Sequence, residues 1–406
     1  MRTLEVRLWG ARQTTVGTLA EEGRGIYFEY TPAFLADPLP ISPFKLPVKP
    51  GLFDHADREF GPVFGVFDDS LPDSWGRLLM DRAFRKPGRS LAGISVLDRL
   101  AYIGTRGMGA LAYHPPTPDP DSGPLEVDLA TLAAEAERVL EGSADDVLPA
   151  LRIAGGSPGG ARPKVLVGVR DDGRMIAGTS ELPEGYRHFL VKFSAGEDGP
   201  HLGAVEAAYA RMAAEAGLNV PPTRLFETED GGRYFAAERF DRRGNARLHM
   251  HSLGGLWHAS HRVASMDYEG FLRTTFVLTR DHRALEEAYR RMAFNVVAHN
   301  RDDHVKNTSF LMGTDGKWTL APAYDLTFSE GPGRQHTMDV AGEAARPGDR
   351  DMLRVAERCE VDARKARAII ERVRDVVRQW PRFAAETGVP AETAQQIRQL
   401  LAQRVG

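Results

Sequence analysis

The segment 300–307 holds the side chains in this sequence that are best suited to chemistry. It contains the carboxylate of Asp302 and, five residues later, the amide of Asn307. A second carboxylate, Asp325, follows a predicted hairpin over 308–323, whose antiparallel arms should bring the three side chains close together. Phosphoryl transfer in protein kinases needs this set. One carboxylate accepts or orients the proton of a hydroxyl nucleophile, while an amide and a second carboxylate hold Mg²⁺ on the phosphates of ATP.

Two other interpretations of this segment stay open. An Asp-rich turn is usually a solvated loop. Apolar residues close to the segment argue against a merely solvated loop, and these are Phe294, Val296, Val297 and Phe310. A hydrolytic metal site is the second alternative, because imidazole and carboxylate groups are common metal ligands. Its candidate ligands are His299, Asp302, Asp303 and His304, and no further ligand cluster with helical spacing supports it.

A lysine in the middle of a predicted strand is the second chemical feature. Lys192 lies in the alternating segment HFLVKFS, with apolar neighbours on both sides. A lysine there is costly unless it is paired. Glu206, near the start of the next predicted helix, is a candidate partner, as in the lysine–glutamate pair of kinases. The alternative is an edge-strand lysine that blocks aggregation.

A glycine-rich segment, IAGGSPGGARPK, occupies residues 153–164 and precedes a predicted strand. It matches neither the Walker A pattern nor G-x-G-x-x-G. Glycines such as Gly159 and Gly160 nevertheless let backbone amides approach a phosphate closely. Ser157 adds a hydroxyl that can itself accept a phosphate. A flexible surface loop is the alternative.

The fourth feature is the segment 237–241, AERFD, which closes a predicted hairpin where the pattern changes from strands to helices. In a two-lobed kinase this position is the hinge, where backbone groups bind adenine and an aromatic ring stacks on it. Glu238 and Phe240 are the candidate residues. An ordinary core aromatic is the alternative for Phe240.

The elements around these residues predict a mixed α+β fold. Leu4, Val6 and Leu8 alternate with polar neighbours, as in a half-buried strand. Five prolines within residues 115–124 predict a linker. From about residue 245 onward the pattern is mostly helical. We therefore expect three regions: β-rich residues 1–115, a second β-rich region at 116–244 that carries the glycine-rich loop, and a helical region at 245–406.

Composition excludes several classes of protein. The 406 residues include 52 Lys and Arg against 56 Asp and Glu, a net charge of −4, which argues against independent binding to nucleic acid. The single cysteine, Cys359, excludes an internal disulfide framework and a cysteine-based zinc site. There is neither an apolar run of about 18 residues nor an apolar signal core at the N-terminus. We expect a cytoplasmic protein that does not enter a membrane.

The sequence resembles the HipA family, the serine/threonine-kinase toxins of bacterial toxin–antitoxin modules. The matching segments of the later part are SPGGARPK, HFLVKFS, AAERFDRR, RLHMHSL, FNVVAHNRDDHVKNTSF, LAPAYDLTF and HTMDVAGE. The N-terminal part resembles the companion domain of the family through LWGARQTTVGTLA, LPDSWGRLL and IGTRGMGALAY. The resemblance covers nearly the whole chain and implies a bilobal, protein-kinase-like fold of the HipA type.

The resemblance also implies roles for single residues. Asp302 is then the catalytic base, and Asn307 and Asp325 bind Mg²⁺. The residues implied at the ATP site are Lys192, Lys164, Glu206, Gly159, Gly160, Glu238 and Phe240. Ser157 matches the loop serine that family members autophosphorylate, which ejects the loop and switches activity off. Added phosphate there would repel the phosphates of ATP.

The sequence departs from the family pattern at two places. His251 and Ser252 follow the RLH of the helical region, where the family often has acidic residues. Pro158 and Pro163 stand in the glycine-rich loop, and a proline lacks the backbone amide that binds phosphate. The first departure affects local contacts, and the second affects how the loop moves.

The resemblance implies partners as well. They are a HipB-like helix-turn-helix antitoxin, operator DNA reached mainly through that antitoxin, and a protein substrate, which in the family includes aminoacyl-tRNA synthetases. Two alternatives remain. One is a kinase for a small molecule such as a sugar or an aminoglycoside. The other is a catalytically silent co-repressor that acts with its antitoxin.

Overall fold

The fold was analysed in a computed structural model. The residues described are 1–10, 13–85, 91–118, 123–143, 149–155, 162–194, 199, 201–229 and 231–405. The chain divides into two compact units. The first unit comprises Met1–Gly199, Phe226–His258 and Leu311–Lys317. The second unit comprises Pro200–Leu225, Ala259–Phe310 and Trp318–Gly406.

The described strands are β1 Arg2–Trp9, β2 Gln13–Glu22, β3 Gly25–Tyr30, β4 Leu52–Asp54, β5 Leu111–His114, β6 Leu125–Glu126, β7 Lys164–Arg170, β8 Met175–Ala177, β9 Tyr186–Lys192, β10 Thr223–Glu227, β11 Arg233–Glu238, β12 Arg242–Arg243, β13 Ala246–Arg247, β14 His249–Ser252, β15 Ser309–Met312 and β16 Trp318–Leu320.

The described α-helices are α1 Pro32–Ala36, α2 Gly65–Asp68, α3 Ser74–Phe84, α4 Val96–Ile103, α5 Leu129–Glu141, α6 Pro149–Ala154, α7 Leu202–Glu215, α8 Leu253–Trp257, α9 Tyr268–Thr279, α10 His282–Val297, α11 Asp349–Arg358, α12 Ala363–Val377, α13 Trp380–Glu386 and α14 Ala391–Val405. Short 3₁₀ turns occupy Leu91–Gly93, Val305–Asn307 and Pro332–Arg334. Within the described ranges, no helix combines the length and the apolar character needed to cross a membrane.

The first unit is built on two sheets. A five-stranded sheet has the order β4-β3-β2-β1-β5, and a six-stranded sheet has the order β10-β11-β9-β7-β8-β6. In β1 the predicted alternation is confirmed, since Leu4, Val6 and Leu8 are buried. The β2–β1–β5 strands pair antiparallel, which explains why β1 needs one apolar face.

The central pair of the six-stranded sheet is β7 and β9, which run antiparallel. The apolar face of this pair packs into a core with α5 and with Trp75 of α3. Asp128 caps α5, because its side chain accepts a hydrogen bond from the Thr131 amide at 2.8 Å. The predicted hairpin β10–β11 is also confirmed.

The second unit is mostly helical. Helix α10 packs against α9 and α12. Asp362 caps α12, since its side chain accepts hydrogen bonds from two backbone amides of the first turn. The predicted turn between β15 and β16 is closed by a hydrogen bond from the Gly313 amide to the Lys317 carbonyl at 3.0 Å. This hairpin connects the loop after α10 to the segment that holds Asp325.

Candidate active site

The loop after α10 carries Asp302 and Asn307. After α10 the backbone is irregular until the short 3₁₀ turn at Val305–Asn307. The Asn307 side-chain amide donates to the backbone carbonyl of Asp302 at 2.7 Å. This hydrogen bond uses the nitrogen of the amide, so the Oδ1 atom of Asn307 is oriented as the potential ligand. The side chain of Asp302 is 52% exposed, as a group that meets a substrate must be.

A buried carboxylate, Asp303, anchors this loop. Its Oδ2 accepts hydrogen bonds from the Tyr268 hydroxyl at 2.6 Å and from His336 Nδ1 at 2.7 Å. Its Oδ1 accepts from the Thr337 amide at 2.8 Å. The side chain is therefore fully used by protein donors, while its neighbour Asp302 points to a different environment.

The anchor continues through a chain of amides. Asn295 of α10 donates to the Tyr268 hydroxyl at 2.9 Å, and Asn300 donates to Asn295 Oδ1 at 3.0 Å. Burial raises the pKa of Tyr268 well above its usual value, and the negative charge of Asp303 raises it further. Tyr268 therefore stays protonated and remains a donor to Asp303 at all ordinary pH values. The network fixes both ends of the turn that leads into the loop.

Arg301 ties the same loop to the segment after β16. Its guanidinium donates to the Arg334 carbonyl at 2.5 Å and to the Ala345 carbonyl at 2.9 Å, and its backbone amide donates to Ser329 at 3.2 Å. Three hydrogen bonds from Arg301 to backbone carbonyls hold the loop on the N-terminal side of Asp302.

Asp325 lies on a segment that is hydrogen-bonded to this loop. The hydroxyl of the adjacent Tyr324 donates to the Lys306 carbonyl at 2.6 Å, so the Ser309 hydroxyl, also at 2.6 Å, must be the donor to Tyr324. These bonds link the residue before Asp325 to the residue before Asn307. Asp325 has a φ of 58°, in the left-handed region that is uncommon for residues with a side chain. Such a conformation is concentrated at functional sites.

The donor set on these segments suits a hard divalent cation. Asn307 and Asp325 offer oxygen atoms, which Mg²⁺ prefers over nitrogen or sulfur. The alternative metal site at His299, Asp302, Asp303 and His304 has no support, because the described part of the chain has no group of three or more His, Cys, Asp or Glu placed to hold a metal. The three hydrogen bonds to Asp303 give the physical reason.

Two lysines of the first unit face each other across the central strand pair. Lys164 in β7 and Lys192 in β9 are directly opposite in the antiparallel register. Like charges opposite each other repel, so an anion near both side chains would stabilise the pair. Lys164 is buried, and Lys192 Nζ lies 5.8 Å from the centre of the Phe235 ring. The cross-strand register therefore places Lys164 opposite Lys192, and the family resemblance had implied both residues at the ATP site.

The predicted hinge residues follow the end of β11. Glu238 is paired with Phe189 across the sheet, and its carboxylate accepts from Arg187 at 3.1 Å. Phe240 is half-buried in the turn that follows. Because the side chain of Glu238 is engaged by Arg187, a contribution to nucleotide binding there would come from its backbone groups.

The remaining predicted site residues are not brought together by these observations. Glu206 lies on α7 in the second unit and is buried, whereas Lys192 belongs to the first unit. Their pairing stays a prediction. Ser157, Gly159 and Gly160 lie outside the described residues. Sequence reasoning missed the anchoring role of Asp303 and the contribution of Tyr268, for which the sequence has no local signal.

Comparison with known proteins identifies the family. The HipA-like C-terminal domain matches residues 156–380, and the HipA N-terminal domain matches residues 4–114. A putative kinase of Haemophilus influenzae is 28% identical over 144 residues, which are 32% of this chain. The match spans 42% of the length of that curated relative.

One solved structure gives the fold. HipA in the complex of the Shewanella oneidensis toxin–antitoxin system HipA, HipB and operator DNA superposes with a TM-score of 0.71 at 18% identity. The similarity covers 99% of this chain and 97% of that chain. This chain therefore has the HipA fold, β-rich in its N-terminal part and helical in its C-terminal part. Together with the two domain matches, this confirms the resemblance seen in the sequence: the chain belongs to the HipA family.

Proposed function

We propose that this chain is a serine/threonine-protein kinase toxin that transfers the γ-phosphoryl group of ATP to a protein hydroxyl. The observation that carries the proposal is the anchored loop at 300–307. The carboxylate of Asp302 is exposed, and the side-chain amide of Asn307 donates to the backbone carbonyl of Asp302. This loop is linked through Tyr324 to the segment of Asp325. Family membership and the similarity to a putative kinase support the same activity.

In the proposed reaction Asp302 accepts the proton of the substrate hydroxyl while the oxygen of that hydroxyl bonds to the γ-phosphorus. The bond between that phosphorus and the bridging oxygen to the β-phosphate breaks, and ADP leaves. Asn307 and Asp325 would hold Mg²⁺, which when bound neutralises charge on the phosphates. The proposed role of Asp302 is supported by Arg301 and Asp303, whose hydrogen bonds hold the loop on both sides of it.

The lysines of the first unit supply the charge that ATP requires. Lys192 and Lys164 lie opposite each other and would contact the phosphates, as would the backbone of Gly159 and Gly160. Glu206 would orient Lys192. The backbone at Glu238 and the ring of Phe240 would bind adenine.

Regulation is proposed to act through the glycine-rich loop and a partner. Phosphorylation of Ser157 by the chain itself would place negative charge where the phosphates of ATP bind, which would switch the kinase off. The Shewanella protein was solved with HipB and operator DNA. For this chain we propose a similar DNA-binding antitoxin in the cytoplasm, which would carry it to DNA, and an aminoacyl-tRNA synthetase as the candidate class of substrate.

The decisive variant is Asp302→Asn, which keeps the size of the side chain and removes its basicity. With labelled ATP and Mg²⁺, we expect the purified wild-type chain to label itself and at least one lysate protein. The variant should label neither, with a loss of at least about a hundredfold, which is the usual contribution of a general base. Because Asp302 is half exposed, the Asp302→Asn variant should keep the fold of the wild type. Mapping the labelled site on the chain tests Ser157.

Asp375→Asn is the matched control, since Asp375 is an exposed carboxylate on α12 whose recorded partner is Arg378. It should keep full activity. Phosphate transfer that persists in the Asp302→Asn variant would refute the role of Asp302. A wild-type chain that labels no protein and does not label itself would refute the kinase.

A further inference from the structure

A small cavity in the first unit lies beside strands β7 and β8. Its volume is about 50 Å³. A cavity needs about 10–15 Å³ to hold one water, so this cavity has room for a small ligand. Among the described residues that line it are three arginines, Arg106, Arg239 and Arg242, and no Asp or Glu. The lining therefore carries positive charge that no carboxylate in the lining balances.

The nearest carboxylate to these arginines is shared. Asp241 is completely buried and accepts from Arg239 Nη2 at 2.8 Å and from Arg242 Nη1 at 2.7 Å. Both arginines are themselves more than nine-tenths buried. One negative charge thus serves two buried positive charges. Burial of an excess charge is unfavourable unless a counter-ion is bound.

Among the described residues, the hydrogen bonds of Arg242 use two of its three side-chain nitrogens. Its two terminal nitrogens donate to the carbonyls of Gly107 and Gly109, at 3.1 and 3.0 Å, which fixes the plane of the guanidinium. Its Nε is buried and has no hydrogen-bond partner among the described residues. A buried donor without an acceptor is uncommon in folded proteins. A negatively charged ligand in the cavity, which Arg242 lines, would reduce the excess charge.

Four other polar residues of the lining can also contact an anion, whereas the remaining lining residues, Leu166, Val167, Gly168, Ile176, Ala177, Gly178 and Leu182, are apolar or glycine. Thr105, Thr179 and Ser180 contribute hydroxyl groups. Burial, together with the charges of Arg239 and Arg242, lowers the pKa of His188 to about 4, so this imidazole is neutral near pH 7 and its N–H can donate. Arg106, Thr179 and Ser180 are half-buried, so the cavity reaches the surface on their side.

We propose that this cavity binds a tetrahedral inorganic oxyanion, with phosphate as the natural probe. The cavity has room for a small ion, and the arginine and hydroxyl groups that line it are hydrogen-bond donors. Arg239 and Arg242, which follow β11, already donate to the Gly107 carbonyl in the 105–109 loop. An anion bound to these arginines would strengthen this link. The proposal does not depend on the kinase activity.

Isothermal titration of the full-length, nucleotide-free chain with sodium phosphate tests it, with sodium chloride at equal ionic strength as reference. We expect one saturable phosphate site per chain and none for chloride. Arg106→Gln should weaken phosphate binding at least tenfold. Ser180→Asp, which places a carboxylate in the lining, should abolish it and serves if Arg106→Gln fails to fold.

Two control variants locate the bound phosphate. Lys192→Met removes a lysine of the proposed nucleotide site, and Arg174→Gln removes an exposed arginine from the β7–β8 turn. Both should bind phosphate within about twofold of the wild type. The proposal is overturned if no saturable site is found. It is equally overturned if Lys192→Met loses binding while Arg106→Gln and Ser180→Asp retain it, because phosphate then occupies the nucleotide site.

Discussion

Replacing Asp303 by alanine should destabilise the second unit strongly. Asp303 is 2% exposed and accepts three hydrogen bonds, at 2.6, 2.7 and 2.8 Å. A hydrogen bond to a charged group contributes about 1.5–3 kcal/mol. Removing one member of a buried charged network usually costs about 3–5 kcal/mol, because its partners stay buried without it. We expect a loss of about 4 kcal/mol in the free energy of unfolding.

The physical reason is the set of donors left behind. Without the carboxylate, the Tyr268 hydroxyl, the His336 ring and the Thr337 amide have no acceptor at this place. Asp303→Asn should fall between the wild type and Asp303→Ala, because the amide keeps one oxygen for Thr337 and turns a donor toward Tyr268 or His336. Tyr268→Phe should lose about 1.5–3 kcal/mol, since it removes one of the three bonds.

Urea unfolding followed by circular dichroism measures these losses. Asp375→Ala is the control, because this exposed residue has a side chain that is 62% accessible, and it should change stability by less than about 0.5 kcal/mol. A loss below about 1 kcal/mol for Asp303→Ala would show that the three hydrogen bonds do not hold the loop. Phosphate transfer by Asp303→Asn should also fall, with the turnover number affected more than the affinity for ATP.

Two more predictions concern the first unit. Lys164→Met and Lys192→Met should each weaken ATP binding about tenfold or more in a fluorescent-nucleotide titration, since each loses a charged contact. The control is Lys317→Met, on an exposed turn, which should bind ATP normally. Unchanged binding in Lys164→Met and Lys192→Met would contradict the cross-strand assignment. Burial lowers the pKa of His249 to about 4. The unfolded chain then takes up this proton below about pH 6.5 and the folded chain does not, so stability is complete above pH 6.5 and falls as pH drops toward 4. From pH 7 to 5 this histidine should account for about 2 kcal/mol. His249→Gln should reduce the difference between unfolding energies at pH 7 and 5 by that amount, and an unchanged difference would refute the assignment.

Local signals explain what could be predicted from the sequence. The caps at Asp128 and Asp362 depend on residues within one helical turn, and the turn at 313–316 depends on its own glycines. The strand that holds Lys192 was visible in its alternation. Each of these features is determined by neighbours in the chain, so pattern alone identifies it.

Long-range contacts explain what could not be predicted. Asp303 was a candidate metal ligand in the sequence, yet its partners Tyr268 and His336 lie 35 and 33 residues away in the chain. The Lys164–Lys192 register was likewise invisible before the two strands paired. No single segment predicts these contacts, since they form only when the chain folds.

Solvent exposure distinguishes a candidate catalytic residue from a purely structural one in two polar clusters of this chain. Ser42 Oγ lies 3.0 Å from His251 Nε2, and His251 Nδ1 lies 2.6 Å from Asp69 Oδ2, the order of contacts that hydrolases use for catalysis. Ser42 is 1% exposed and His251 is 0% exposed, so no substrate can reach the hydroxyl. Asp69 also accepts from the amide and hydroxyl of Ser252, each at 2.6 Å. His251 and Ser252, which depart from the family pattern, thus form buried structural contacts with Asp69. Asp302, in contrast, is half exposed on an anchored loop, so a substrate can reach it.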